Sequence, residues 1–108
     1  MAGRGTDTRG GTVRYAAKVD VNQAKLVRAW RDAGLHVAHT HQLGRGFPDV
    51  IVTGYSIPLN AVAALLVEIK DGNDKLTENE QEWHAAYPDG GPLIIARVAA
   101  DVLKWFGR

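Results

Sequence analysis

The sequence predicts one α/β domain whose elements run α-β-β-β-α-β-α. Three observations carry that expectation. An apolar stripe recurs at helical spacing over Val21–Ala33, and two strand-like runs, Val50–Thr53 and Val62–Lys70, flank a cluster of turn residues. A capping box at Thr77-Glu78-Asn79-Glu80 then opens a second helix ahead of a further apolar run. Composition agrees. A length of 108 residues supports a single core, and 45% apolar with 23% charged residues is ordinary for a globular protein. The absence of cysteine excludes a disulfide scaffold and any thiolate metal site.

Asp20 is the expected N-cap of the first helix, in which Leu26, Val27, Trp30 and Ala33 recur and which Gly34 closes. Leu35–Thr40 reads as a strand because Leu35 and Val37 alternate with His36. Gln42–Phe47 is a loop punctuated by Gly44 and Gly46. The β-branched Val50–Thr53 forms a short strand, Gly54, Pro58 and Asn60 mark a turn region, and Val62–Lys70 is a long strand. Thr77 caps a helix that Pro88-Asp89-Gly90 ends. Leu93–Val98 is the fourth strand, and Ala99–Phe106 a short terminal helix.

The charge is unevenly spread. Residues 1–18 hold Arg4, Arg9, Arg14 and Lys18 against Asp7, whereas the remainder is slightly acidic. The expected organisation is a flexible basic arm over 1–18 and a folded domain over 19–108. Such an arm suits a phosphate backbone, or is a solvated tail without a partner. Residues 71–89 carry six acidic groups against Lys75, so that stretch does not lie flat on DNA without an intervening cation. The longest apolar run, Ala61–Val67, falls far short of the roughly 20 residues a bilayer helix needs. The N-terminus lacks the apolar segment of a secretory signal. A cytoplasmic protein is expected.

The informative chemistry is the pair Pro48-Asp49 and Glu68-Ile69-Lys70. Strand alternation projects Glu68 and Lys70 from one face. Directly opposed residues of an antiparallel hairpin have a constant index sum; if Asp49 faces Glu68, the turn centres between Pro58 and Leu59, among the turn residues. Two carboxylates and an ammonium then converge at the open end of one hairpin. Adjacent carboxylates repel unless a cation holds them, and Mg²⁺ takes such ligands together with water and phosphate oxygens. Asp plus Glu-x-Lys thus suits phosphodiester hydrolysis, although alternating Glu and Lys also make an ordinary solvated face.

With "GRGFPDVIV", "LLVEIKDG" and "LTENEQEW", the chain resembles the PD-(D/E)xK nuclease superfamily, and more narrowly archaeal-type Holliday junction resolvases and VRR-type phage nucleases. The resemblance runs from about Asp20 to Phe106. It implies a restriction-endonuclease-like αβββαβ core, with a mixed sheet flanked by helices. It implies that Asp49, Glu68 and the Ile69 carbonyl hold Mg²⁺, for which Mn²⁺ substitutes, that Lys70 is the catalytic lysine, and that Gln81 supports the site. Gln23 stands where these resolvases carry a helix Glu, with Asp20 one turn away as a partial substitute. Thr40 or His41 stands in for a serine that many place before the PD motif. The activity implied is cutting of four-way junctions by a symmetric dimer. Flaps, single-stranded or duplex DNA remain as other targets, as does a non-catalytic DNA-binding module.

Other residues carry weaker expectations. Arg45 is a candidate phosphate contact in the glycine loop, or a plain surface arginine. His36, His39, His41 and His84 invite a zinc site, but only His39 and His41 share a strand face by spacing and no third ligand is evident; His39 and His41 are phosphate contacts, a general acid or ordinary histidines. Val102, Leu103, Trp105 and Phe106 crowd one short helix and are the expected dimer interface, or else they close the monomer core.

Overall fold

The computed structural model describes residues 10–108, with side chains from Val21 onward. Its elements are α1 (Gly10–Asp32), β1 (His36–His39), a 3-10 turn (His41–Leu43), β2 (Val50–Ser56), β3 (Ala61–Ile69), α2 (Glu78–Ala86), β4 (Leu93–Ala96) and α3 (Ala99–Trp105). The four strands form one mixed sheet in the order β1-β2-β3-β4. The first three make an antiparallel meander, and β4 joins β3 in parallel after the α2 crossover. The result is an α/β fold with the predicted order of elements.

The β2–β3 register is the one the constant sum requires. Every pair from Val50↔Val67 to Ser56↔Ala61 lies on the same diagonal, and its continuation sets Asp49 against Glu68. β2 is three residues longer than expected because Gly54 is not a turn residue. A methyl there would stand 2.5 Å from Leu35 Cδ2, so this glycine lets Leu35 pack across the strand. The turn follows at Ile57–Asn60.

Alternation divides the sheet into two unlike faces. Val50, Val52, Leu65, Val67 and Ile69 point to one side and are buried with Val37. Leu26, Val27 and Trp30 of α1 and Val102 and Phe106 of the α3 end complete that core. Trp30 Nε1 donates to the Ala99 carbonyl at 3.0 Å, tying the two helices together. Glu68 and Lys70 belong to the opposite face, on the side of α2.

Three expectations need correction. The first helix starts at Gly10, so Asp20 lies inside it and does not cap it. Ala16, Ala17 and Lys18 are good helix formers, and no Gly or Pro interrupts residues 12–32. Arg14 and Lys18 of the expected arm therefore sit in α1, while Arg4 and Arg9 lie outside the described residues. Second, β1 ends at His39 and His41 begins the 3-10 turn, so the two histidines do not share a strand face. Third, Val102 and Phe106 are fully buried in the monomer, and Leu103 and Trp105 pack partly buried against the same core. The expected α3 dimer surface is already occupied by the chain's own sheet and α1. Among the described residues, no helix is long and apolar enough to cross a membrane.

Candidate active site

Pro48 and Asp49 are held from three directions. The Thr40 hydroxyl donates to the Pro48 carbonyl at 2.7 Å, and the Thr40 N–H donates to the Asp49 carbonyl at 2.8 Å. Thr40 thus fixes the backbone on which the aspartate stands. The glycine loop before it docks on α2: Gly46, at φ 82°, lies so close that a methyl would stand 2.3 Å from the Asn79 carbonyl oxygen. Phe47 meets the Trp83 ring edge-on, with centroids 5.0 Å apart. Arg45 is exposed between Gly44 and Gly46 in a left-handed conformation.

The Asp49 side chain turns toward β3, where Oδ2 accepts from the Ile69 N–H at 2.8 Å. That bond brings Asp49 beside Glu68, which is 1% exposed and whose Oε1 has no hydrogen-bond partner. Lys70 follows on the same face and pairs with Glu80 of α2 at 2.8 Å. Glu80 in turn accepts from the Thr77 N–H, while its own N–H donates to the Thr77 hydroxyl. The helix-capping box therefore also anchors Lys70. His84, one turn further along α2, presents Nε2 3.7 Å from Glu68 Oε1, and this nitrogen too lacks a partner.

The electrostatics follow from that crowding. Burial, then the Asp49 hydrogen bond and charge, then Glu80, push the Glu68 carboxyl up to about 10. Burial acts to lower Lys70, but the hydrogen bond and charge of Glu80, with Glu68 and Asp49 behind, outweigh it and hold the ammonium above its usual range. Burial acts to raise Glu80, yet Lys70 and the Thr77 backbone carry it below the ordinary carboxylate value. His84 is lowered, chiefly by burial.

The cluster suits a hard divalent cation. It offers a buried carboxylate oxygen without a partner beside a second carboxylate, and its donors are oxygens of the kind Mg²⁺ and Mn²⁺ prefer. Among the described residues no group of three or more His, Asp or Glu side chains has metal-holding geometry. Asp49 and Glu68 are the two carboxylates through which Mg²⁺, which keeps several of its waters, would bind.

Two expected members stand apart from this cluster. Gln81 is exposed and its amide donates to the Leu76 carbonyl at 3.0 Å; Glu80, one residue earlier, takes the place beside Lys70. Gln23 is buried, and its Nε2 meets His39 Nδ1 at 3.2 Å. In the sequence Glu80 carries only a capping role and His84 none at this cluster, although Glu80, Trp83, His84 and Tyr87 follow the i, i+3, i+4, i+7 spacing of one helix face. Comparison with known protein families, curated proteins and solved structures finds no match to this chain.

Proposed function

We propose that this chain is a divalent-metal-dependent DNA endonuclease of the PD-(D/E)xK type, with four-way junctions as its substrate. The observation that carries the reading is the convergence of Asp49, Glu68 and Lys70 at one end of the β2–β3 hairpin, with a buried Glu68 oxygen left unpartnered. The helix, antiparallel meander, crossover helix and parallel strand support a restriction-endonuclease-like core. The junction as target rests on the resemblance in the glycine-loop, Glu-x-Lys and α2 segments.

Asp49, Glu68 and the Ile69 carbonyl would hold Mg²⁺ or Mn²⁺. Such a cation would supply Lewis-acid chemistry at a phosphate oxygen and at a water. The chain's own residues supply the setting. Asp49 is aimed by the Ile69 N–H, and Thr40 holds its backbone against the pull of a ligand. Lys70, kept protonated by Glu80, is a fixed positive charge for the negative charge that builds on a phosphate during attack. The α3 residues Val102 and Phe106 are buried in the core, so the dimer that paired cuts call for assembles through another surface.

The test is cleavage of a labelled immobile four-way junction beside linear duplex, flap and single-stranded controls, in Mg²⁺ and in EDTA. Junction cutting that requires the metal and is lost in Asp49→Asn is expected. Full activity in excess EDTA, or full activity of Asp49→Asn, overturns the proposal. Metal-dependent cutting of flaps or duplex with the junction left intact retains the chemistry and replaces the substrate.

A further inference from the structure

A cleft of about 670 Å³ lies between α1 and the end of β1, outside the carboxylate cluster. Arg28, Arg31 and Asp32 line it from α1, and His39 and His41 from the opposite side. Gln23, 6% exposed, also lines it and couples the two walls. Its amide Nε2 can only donate, so Nδ1 of His39 accepts at 3.2 Å. A neutral imidazole whose Nδ1 accepts carries its proton on Nε2. His39 is thereby held as a donor. Arg31 is braced through its bond to the Val37 carbonyl at 2.9 Å.

This lining has a definite chemistry. Among the described residues of the lining, two guanidiniums and an oriented imidazole N–H stand against one carboxylate, Asp32. That set matches phosphate oxygens and offers little that would read a base edge. Its position is equally definite. His39 pairs with Val50, and the Thr40 N–H bonds the Asp49 carbonyl, so the β1 wall is the strand beside the one that starts after Asp49. His39 shares the α1 side of the sheet with its partner Val50, so the cleft opens on the face opposite Glu68 and Lys70, at the sheet end where Asp49 stands. Arg14 and Lys18 lie N-terminal in the same helix, which extends its basic sequence away from the cleft.

We infer that the α1–β1 cleft is a phosphate-backbone subsite, which grips DNA without regard to sequence on the α1 side of the sheet end that carries Asp49. The role in cutting rests on the nuclease reading above, but the grip is measurable without metal. The measurement is fluorescence anisotropy of a labelled four-way junction with the full chain in EDTA, repeated over a salt series.

Arg28→Ala should flatten the dependence of log K on log salt by about 0.9, which makes binding about eightfold weaker at 0.1 M relative to 1 M salt. Asp32→Asn should tighten binding, since it removes a charge that opposes phosphate. Asp32 ends α1, where a carboxylate opposes the helix dipole, so this variant does not endanger the fold and decides the matter if Arg28→Ala does not fold. Unchanged affinity and salt slope in Asp32→Asn and in a folded Arg28→Ala would overturn the inference, as would failure of the wild type to bind DNA in EDTA. The expected slopes in a chain that cuts no DNA with any divalent metal would support the subsite and remove the nuclease reading. Metal-dependent cutting with both slopes unchanged would do the reverse.

Discussion

Replacement of Glu68 by Gln should stabilise the metal-free protein and abolish its cutting of DNA. Glu68 is buried between Asp49 and Glu80 with one oxygen unpartnered, and its carboxyl is pushed from 4.5 to about 10 by burial first and by those neighbours second. A carboxyl raised in the folded state contributes fully below its unfolded value, and that contribution drains away as pH rises toward the folded value. Between about 4.5 and 10 the drain is at most about 1.4 kcal/mol per pH unit. From 4.5 to pH 7 it amounts to at most about 3.5 kcal/mol. An amide does not ionise, and its N–H can donate to the neighbouring carboxylate. The variant in EDTA at pH 8 should gain about 1–3 kcal/mol, a rise in Tm of roughly 5–15 °C. His84 acts in the opposite sense below about 6.5, because burial lowers it and its protonation strains the fold. Calorimetric melts in EDTA at pH 7, 8 and 9 therefore isolate Glu68: the wild-type Tm should fall over this range and that of Glu68→Gln should stay flat. Added Mg²⁺ should raise the wild-type Tm only. A Glu68→Gln protein less stable than wild type at pH 8, or one sharing its pH slope, would refute the reasoning.

Lys70→Ala should reduce the single-turnover cutting rate by roughly 10² or more, the scale of a lost preorganised charge; quench-flow cleavage of a junction measures it. Glu80→Gln keeps a side chain able to complete the capping box but loses the ion pair with Lys70. Its helix content by circular dichroism should hold, while turnover drops roughly tenfold. Gly46→Ala should cost about 1–3 kcal/mol in denaturant titrations and impair cutting, because the methyl meets the Asn79 carbonyl and the backbone is left-handed there. Phe106→Glu should unfold the chain, with loss of far-UV ellipticity, since it places a charge in the core that α3 and α1 share.

The parts of the site legible in the sequence are those governed by a two-residue period. Alternation puts Glu68 and Lys70 on one face, and hairpin pairing brings Asp49 to them; the β2–β3 register bears out that pairing. A shift of one residue would have sent Glu68 into the apolar core, so the hydrophobic set Leu65, Val67 and Ile69 enforces the register that assembles the cluster. The contribution of α2 obeys a different rule. A helix turns about 100° per residue, so the step from Gln81 to Glu80 carries a side chain from solvent to the side of Lys70. The capping box fixes where α2 begins but leaves its rotation about its axis open. Rotation is settled by long-range contacts: Phe47 on Trp83, and Gly46 pressed against Asn79. Those same contacts tie the loop carrying Asp49 to the helix carrying the partner of Lys70. The glycine loop and the capping box are thus two halves of one brace, and displacement of either moves both Asp49 and Lys70. The start of α1 and the burial of α3 were hidden for a related reason. Asp20 is a good cap only if the residues before it are not helical, and the apolar residues of α3 are a surplus only if α1 does not cover them. In each case a distant neighbour decides what the local signal means.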